Sequence, residues 1–194
     1  MSFASAALTL FLVMDPLGNI PFFLSALQGV PAHRHNRVVV RELLIAFGIM
    51  IGFLFTGGPL LALLSISESA LTLAGGIILF LIAIRMVFPP VAGTAHEELA
   101  GEPFIVPLAI PYVAGPSVLA TEMLLMRGDP ARWTEWLAAL AIAWAASAVI
   151  LIAGARLRAV LGPRAMIAIE RLMGMILVAV SVQMFLSGLE RYFR

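Results

Sequence analysis

Two acids, Asp15 and Glu122, are read as lying well inside apolar stretches of the chain. An ionisable group at such depth is costly, so each is a candidate for function. Asp15 opens the segment Asp15-Pro16-Leu17-Gly18-Asn19-Ile20-Pro21, which interrupts an apolar run from Phe3 to about Leu27. Proline removes a backbone donor and stops a helix, so this segment predicts a broken helix with polar backbone exposed inside. Asp followed by Pro is also the pair that starts a helix, so Asp15 has two compatible roles: capping the second half-helix, or titrating and holding a cation or a substrate amine. A second interruption, Pro107-Leu108-Ala109-Ile110-Pro111-Tyr112-Val113-Ala114-Gly115-Pro116-Ser117, has the same cap-then-proline shape without the charge. Free amides at two half-helix N-termini suit an anionic group such as a carboxylate. The candidate substrate- or ion-binding set is therefore Asp15, Pro16, Gly18, Asn19 and Pro21 from the first break, with Pro111, Gly115, Pro116, Ser117 and Thr121 from the second. Asn19, Ser117 and Thr121 supply hydrogen-bonding side chains, although for Ser117 and Thr121 a bond back to their own helix is the favoured reading. Glu122 either faces the cavity or reaches the nearby boundary to pair with Arg127, and the pair is favoured.

The elements that hold these residues follow from composition. Of 194 residues, 62% are hydrophobic and 12% charged, with a mean hydropathy of +1.06. Soluble domains carry about 25% charged residues, so this chain belongs in lipid. Apolar runs predict six spans: Phe3 to Leu27, Val38 to Leu64, Ala70 to Phe88, Phe104 to Met126, Trp133 to Ala155 and Ile167 to Leu189. They leave no room for a soluble catalytic domain. The absence of Cys excludes disulfides and thiolate sites. The first run is not expected to be a cleavable signal, since it has no basic leading region and Asp15-Pro16 falls within it.

Residues 89–103, rich in Pro, Gly and acid, read as a linker between a first three-helix repeat, 1–88, and a second, 104–194. An offset of 100 sets Asp15-Pro16 on Gly115-Pro116, and nearly the same offset sets Gly76-Ile77-Ile78-Leu79 on Gly174-Met175-Ile176-Leu177. Interrupted helices in corresponding positions of two halves point to a transporter site. With three helices per half, the second copy must be inverted. The predicted fold is thus an all-α polytopic membrane protein, six transmembrane helices in a 3+3 inverted repeat with helices one and four broken. Arg34, Arg37 and Arg41 after the first helix, and Arg156, Arg158, Arg164 and Arg171 after the fifth, mark the cytoplasmic loops. Both termini then lie outside, with Arg191 and Arg194 counting against this.

Other features read as packing. Gly48, Gly52 and Thr56, like Ala139, Ala143 and Ser147, recur every fourth residue and let helices approach, within one chain or between copies in a homo-oligomer. Trp133 and Trp136 read as an interfacial belt, and His33 and His35 as solvated rather than metal-binding.

Four stretches together resemble the MarC family of integral membrane proteins: Asp15 to Phe23, Ala74 to Ala83, Pro107 to Pro111 with Ala114-Gly115-Pro116, and Arg171 to Gly174. The resemblance spans nearly the whole chain. It implies six spans and, because some such proteins are described as transporters of small neutral amino acids in a wider group with LysE-type exporters, an amino-acid-like substrate. Ser117 and Thr72 stand where the family often carries Gly and Arg.

The expected function is a secondary transporter moving a small neutral amino acid or similar zwitterion by alternating access, with its site at the midplane between helices one and four. Its partners are the lipid bilayer and a small-molecule substrate, not nucleic acid. No cofactor, metal or catalytic residue is expected. Proton or Na⁺ coupling through Asp15 and simple facilitation are equally open. Two rivals stand: a non-transporting scaffold or stress-related protein, which leaves the helix breaks unexplained, and an intramembrane enzyme, for which no His in a span and no HExxH or GxSxG pattern is found.

Overall fold

The computed structural model describes residues 1–88 and 103–193. The predicted linker, 89–103, apart from Pro103, lies outside the described residues, as does Arg194. Among the described residues the chain is helical, with no strand beyond one isolated bridge between Phe104 and Val106. Helix α1 (Phe3–Met14) is capped by Ser2, whose hydroxyl accepts from the Ser5 amide at 3.2 Å. Asp15 ends α1 and starts α2 (Pro16–Ala26). A turn at Ala32–Arg34 leads into α3 (His35–Leu63), and α4 (Glu68–Val87) starts at Ser67, whose hydroxyl accepts from the Ala70 amide at 3.1 Å. A π-helical segment, π1 (Leu108–Val113), precedes α5 (Pro116–Gly128), α6 (Trp133–Ile152) and α7 (Gly154–Phe193). Gly162, at φ 75°, breaks α7 ahead of Pro163, a conformation that glycine adopts without strain.

Among the described residues five segments are long and apolar enough to cross a membrane: Phe3–Ala26, Ala32–Leu63, Ser69–Val87, Pro130–Ile152 and Gly154–Phe193. The run expected as the fourth span, Phe104 to Met126, is not one helix: π1 and α5 divide it at Ala114 and Gly115. The Arg clusters also differ from expectation. Arg37 and Arg41 lie in the first turns of α3, and Arg156, Arg158, Arg164 and Arg171 lie in α7 rather than in a loop.

The helices pair in a pattern that recurs between the two halves. α1 and α2 pack on α6, while π1 and α5 pack on α3. α2 also meets α7, as α5 meets α4, and α4 meets α7 along the longest interface. The α4–α7 pair is antiparallel: Gly76 faces Ser181 and Phe185, Gly174 faces Ala83, Met86 and Val87, and Gly188 faces Ser69 and Leu73. Ala139, Ala143 and Ser147 are buried within the bundle, whereas Gly48 and Gly52 on α3 face open space. Trp136 is likewise buried and donates to the Asp129 carbonyl at 2.9 Å, so it is a core residue rather than part of a belt. It shares the inward stripe of α6 with Leu140 and Ala143, and only Trp133 is exposed.

The close approach at Gly76 leaves no room for a side chain, because an added Cβ would lie 3.0 Å from the Ser181 carbonyl oxygen and 3.1 Å from the Phe185 amide. Gly76→Leu is expected to lower stability by about 1–3 kcal/mol through overpacking, seen as a lower melting temperature in detergent, while Gly52→Ala leaves it nearly unchanged.

Candidate binding site at the two helix breaks

At the first break Asp15 adopts φ 43°, ψ 61°. This left-handed conformation is one that Asp tolerates better than most residues. The turn lets one residue serve both half-helices. Its amide donates back to the Phe11 and Leu12 carbonyls at 3.1 Å, and its Oδ1 accepts from the Gly18 amide at 3.1 Å. The second carboxylate oxygen has no hydrogen-bond partner among the described residues. A Cβ at Gly18 would collide with that carboxylate and with the Met86 side chain, so only glycine lets the amide come this close. Pro16 takes the first helical position, where no donor is needed. Pro21, farther along, withholds a donor from the preceding turn.

The second break is built from wider turns. Ile110, Tyr112 and Ala114 donate to the carbonyls of Ile105, Pro107 and Ala109, each five residues back, at 2.9, 3.3 and 2.9 Å. Ile110 itself is extended, and the Val106–Pro107 and Ile110–Pro111 peptides are cis. Gly115 sits against the Pro111 carbonyl, where a Cβ would come within 2.7 Å. α5 then starts at Pro116 without a side-chain cap.

Asn19 joins the two breaks. Its side-chain amide donates to the Met14 carbonyl at 2.9 Å and to the Tyr112 carbonyl at 2.8 Å. The Tyr112 ring lies 5.3 Å from that of Phe22 and 6.5 Å from that of Phe23, which sets aromatic surface beside the contact. Both donors of Asn19 are thus used within the protein, and only its carbonyl oxygen is left for a ligand. Ser117 and Thr121 are buried, and the Thr121 hydroxyl donates to the Ser117 carbonyl at 2.7 Å, the back-bond expected of it. Pro111 faces outward. No hydrogen bond links Asp15 to Ser117 or Thr121.

Glu122 does not pair with Arg127. It is wholly buried, and neither carboxylate oxygen has a hydrogen-bond partner among the described residues. α5 turns it into the bundle rather than along the boundary, with Val118 and Leu125 beside it.

One further residue, Glu42, was missed in the sequence, and Arg41, read there only as a loop marker, is its partner. Glu42, also wholly buried, accepts from Arg41 Nε at 2.8 Å and from the Ile105 amide at 2.8 Å. Arg41 in turn donates to the Pro103 carbonyl and lies over the Phe104 ring at 5.2 Å. The clamp fixes Ile105 at φ 62°, a left-handed conformation that a β-branched residue rarely adopts. It thereby sets where the second break begins. Glu42 falls inside the apolar run from Val38, so the cost of an acid at such a position was the available signal.

A cavity of about 600 Å³ opens on the face that carries both ends of the described chain. Met1, Asp129, Arg132 and Arg191 stand at its mouth. It descends along α1 past Thr9 to Leu12 and along α5 past Leu125 to Thr121, with Thr72 and Gln183 on its other walls. Leu12 lies just under one helical turn before Asp15, and Thr121 about one and a half turns after Pro116, where α5 starts. Arg132 is held at the mouth by Glu135 at 2.6 Å and by the Trp136 ring at 4.5 Å.

A chain of long apolar helices, two of whose segments are interrupted and tied together inside it, is a multi-pass integral membrane protein. The pattern of the MarC family integral membrane proteins matches residues 1–193, and the chain belongs to that family. It is 48% identical over 191 residues to the UPF0056 inner membrane protein YhgN of Escherichia coli (strain K12), covering 98% of this chain and 97% of the relative. It is 44% identical over 190 residues to a UPF0056 membrane protein of Buchnera aphidicola subsp. Schizaphis graminum, covering 98% and 97%. To the UPF0056 membrane protein YvbG of Bacillus subtilis (strain 168) it is 31% identical over 196 residues, covering 96% and 93%. No solved structure matches it. The helices and these relatives place the protein in the bacterial inner membrane.

Asn19→Leu removes the donor from two carbonyls at once. It is expected to cost about 1–3 kcal/mol, the penalty for leaving buried acceptors unsatisfied, read as a lower unfolding midpoint in detergent. Gln183→Leu, at an exposed position, is expected to change stability by less than about 0.5 kcal/mol.

Proposed function

We propose that this protein is a secondary transporter of a small neutral amino acid or similar zwitterion, with its site between the broken helices. The observation that carries the reading is the meeting of the two breaks through Asn19, with a cavity that reaches to within two turns of both. Irregular backbone at membrane depth persists where it lines a cavity or is buried in protein, and paired breaks are the usual construction of a transporter's midplane site. The free oxygen of Asp15 suits a substrate ammonium, and the uncapped amides at the start of α5 suit a carboxylate.

The inverted 3+3 repeat is part of this proposal, with π1 and α5 as the broken fourth helix. Its support is the exchange of partners between halves and the antiparallel pairing of α4 with α7. A parallel repeat would run those two helices in the same direction. In this reading the cavity opens to the outside, the termini are external, and the Glu42–Arg41 clamp belongs to the closed cytoplasmic side.

Labelled alanine or serine is expected to undergo counterflow in proteoliposomes of the purified protein. Asp15→Asn keeps an oxygen for the Gly18 amide but loses the charge, so it is expected to fold normally and to lose substrate affinity or ion dependence. Wild-type affinity and ion dependence in a folded Asp15→Asn protein would leave Asp15 a structural cap. For topology, Arg34→Cys and Arg158→Cys in this Cys-free chain are expected to resist an impermeant thiol reagent added to intact cells. Ready labelling of both would reverse the orientation.

A further inference from the structure

We propose that Glu122 is a proton-binding site, its carboxyl held in the bundle as the neutral acid and exchanging its proton with water in the cavity. That this proton is coupled to substrate movement rests on the transport reading above; the binding site itself does not.

The starting point is geometry. Glu122 has no solvent exposure, and both carboxylate oxygens lack a hydrogen-bond partner among the described residues. An ionised carboxylate in that condition would bear an uncompensated desolvation cost of many kcal/mol, so it must be neutralised. Three means are available: a basic partner, a metal ion or a proton.

Among the described residues no basic side chain hydrogen-bonds to Glu122. α1 carries no titratable side chain. α3 carries His35, Arg37, Arg41 and Glu42 toward its start, where Glu42 is bound to Arg41 and Ile105. α4 carries Glu68 and Arg85 near its ends, and on α6 Glu135 is paired with Arg132. Arg127 and Asp129, the charged residues at the end of α5, lie beyond Leu125 toward the mouth of the cavity. A metal ion is no better served. Hard cations need six or more oxygen ligands, and among the described residues no group of three or more His, Asp or Glu could hold one. A proton needs only the carboxylate itself.

The position of Glu122 gives that proton a route. On a helix of 3.6 residues per turn it sits about 60° around from Leu125 and about 100° from Thr121. Both of those residues line the cavity. One side-chain rotation past Leu125 carries the carboxyl from the apolar cluster to cavity water. There one proton leaves hydronium for one carboxylate oxygen. The neutral side chain then returns to the bundle, and release reverses the step.

Infrared spectroscopy of the full-length protein in lipid reads this without transport. Asp15→Asn serves as the background, so that Asp15 contributes no signal. At neutral pH a protonated carboxylic acid stretch that shifts in D₂O is expected, and it is expected to be lost on adding Glu122→Gln. A spectrum unchanged by that substitution overturns the proposal. Should Glu122→Gln fail to fold, Glu122→Asp keeps a carboxyl but moves it, so the band is expected to shift, and an unmoved band overturns the assignment. In proteoliposomes, an imposed proton gradient is expected to drive labelled alanine uptake by the wild type, and Glu122→Gln is expected to lose that dependence. Retained dependence in Glu122→Gln overturns the coupling role. Absence of counterflow in the wild type instead removes the transport reading, and the infrared band still decides the proton site.

Discussion

A peptide group in hydrocarbon has no water to bond, so a helix interrupted there must find other partners for the carbonyls and amides it frees. In this protein Asn19 meets that requirement for both breaks, donating to Met14 on one side and Tyr112 on the other. Much else is arranged around that contact. Asp15 takes the left-handed turn that points α2 at π1. Gly18 lets backbone and carboxylate close on each other, and Gly115 does the same against the Pro111 carbonyl. The Tyr112 ring lies beside the joint, stacked on Phe22 and near Phe23. A bond partly withdrawn from water is stronger than the same bond in full solvent.

The second break depends on a separate device at the far end. Glu42 and Arg41 together hold Pro103, Phe104 and Ile105, fixing the backbone before it enters π1. A buried carboxylate with a guanidinium and a backbone amide as partners is satisfied, whereas Glu122, equally buried, has neither. Two glutamates at the same exposure therefore have opposite chemistry. Partners, rather than depth, decide which is a structural clamp and which is free to bind and release a proton.

The small-residue stripes make a similar contrast. The spacing of Gly48, Gly52 and Thr56 matches that of Ala139, Ala143 and Ser147, yet the second stripe is filled by neighbouring helices and the first faces open space. Spacing shows that a close approach is feasible. Which helix comes close depends on how the bundle is assembled.

The sequence by itself determined that the chain is helical and membrane-bound, and where its first helix breaks, because hydropathy and the proline rules act locally. Asp15-Pro16 marks the break at the residue where α1 ends, and Gly115-Pro116 marks the start of α5. Asn19 was legible as a polar residue at a break but not as the joint between two breaks, since its partner Tyr112 is remote in sequence and offers only a backbone carbonyl. Glu122 was misread because Arg127 is near in sequence, whereas the direction of a side chain follows from the rotation of its helix against the others. Trp136 was misplaced for the same reason. Glu42 lay in plain view within an apolar run, and what only the tertiary structure supplied was its partner Ile105, brought alongside by the packing of α3 against π1. Local chemistry sets where helices start and stop, and long-range packing decides which buried groups find partners.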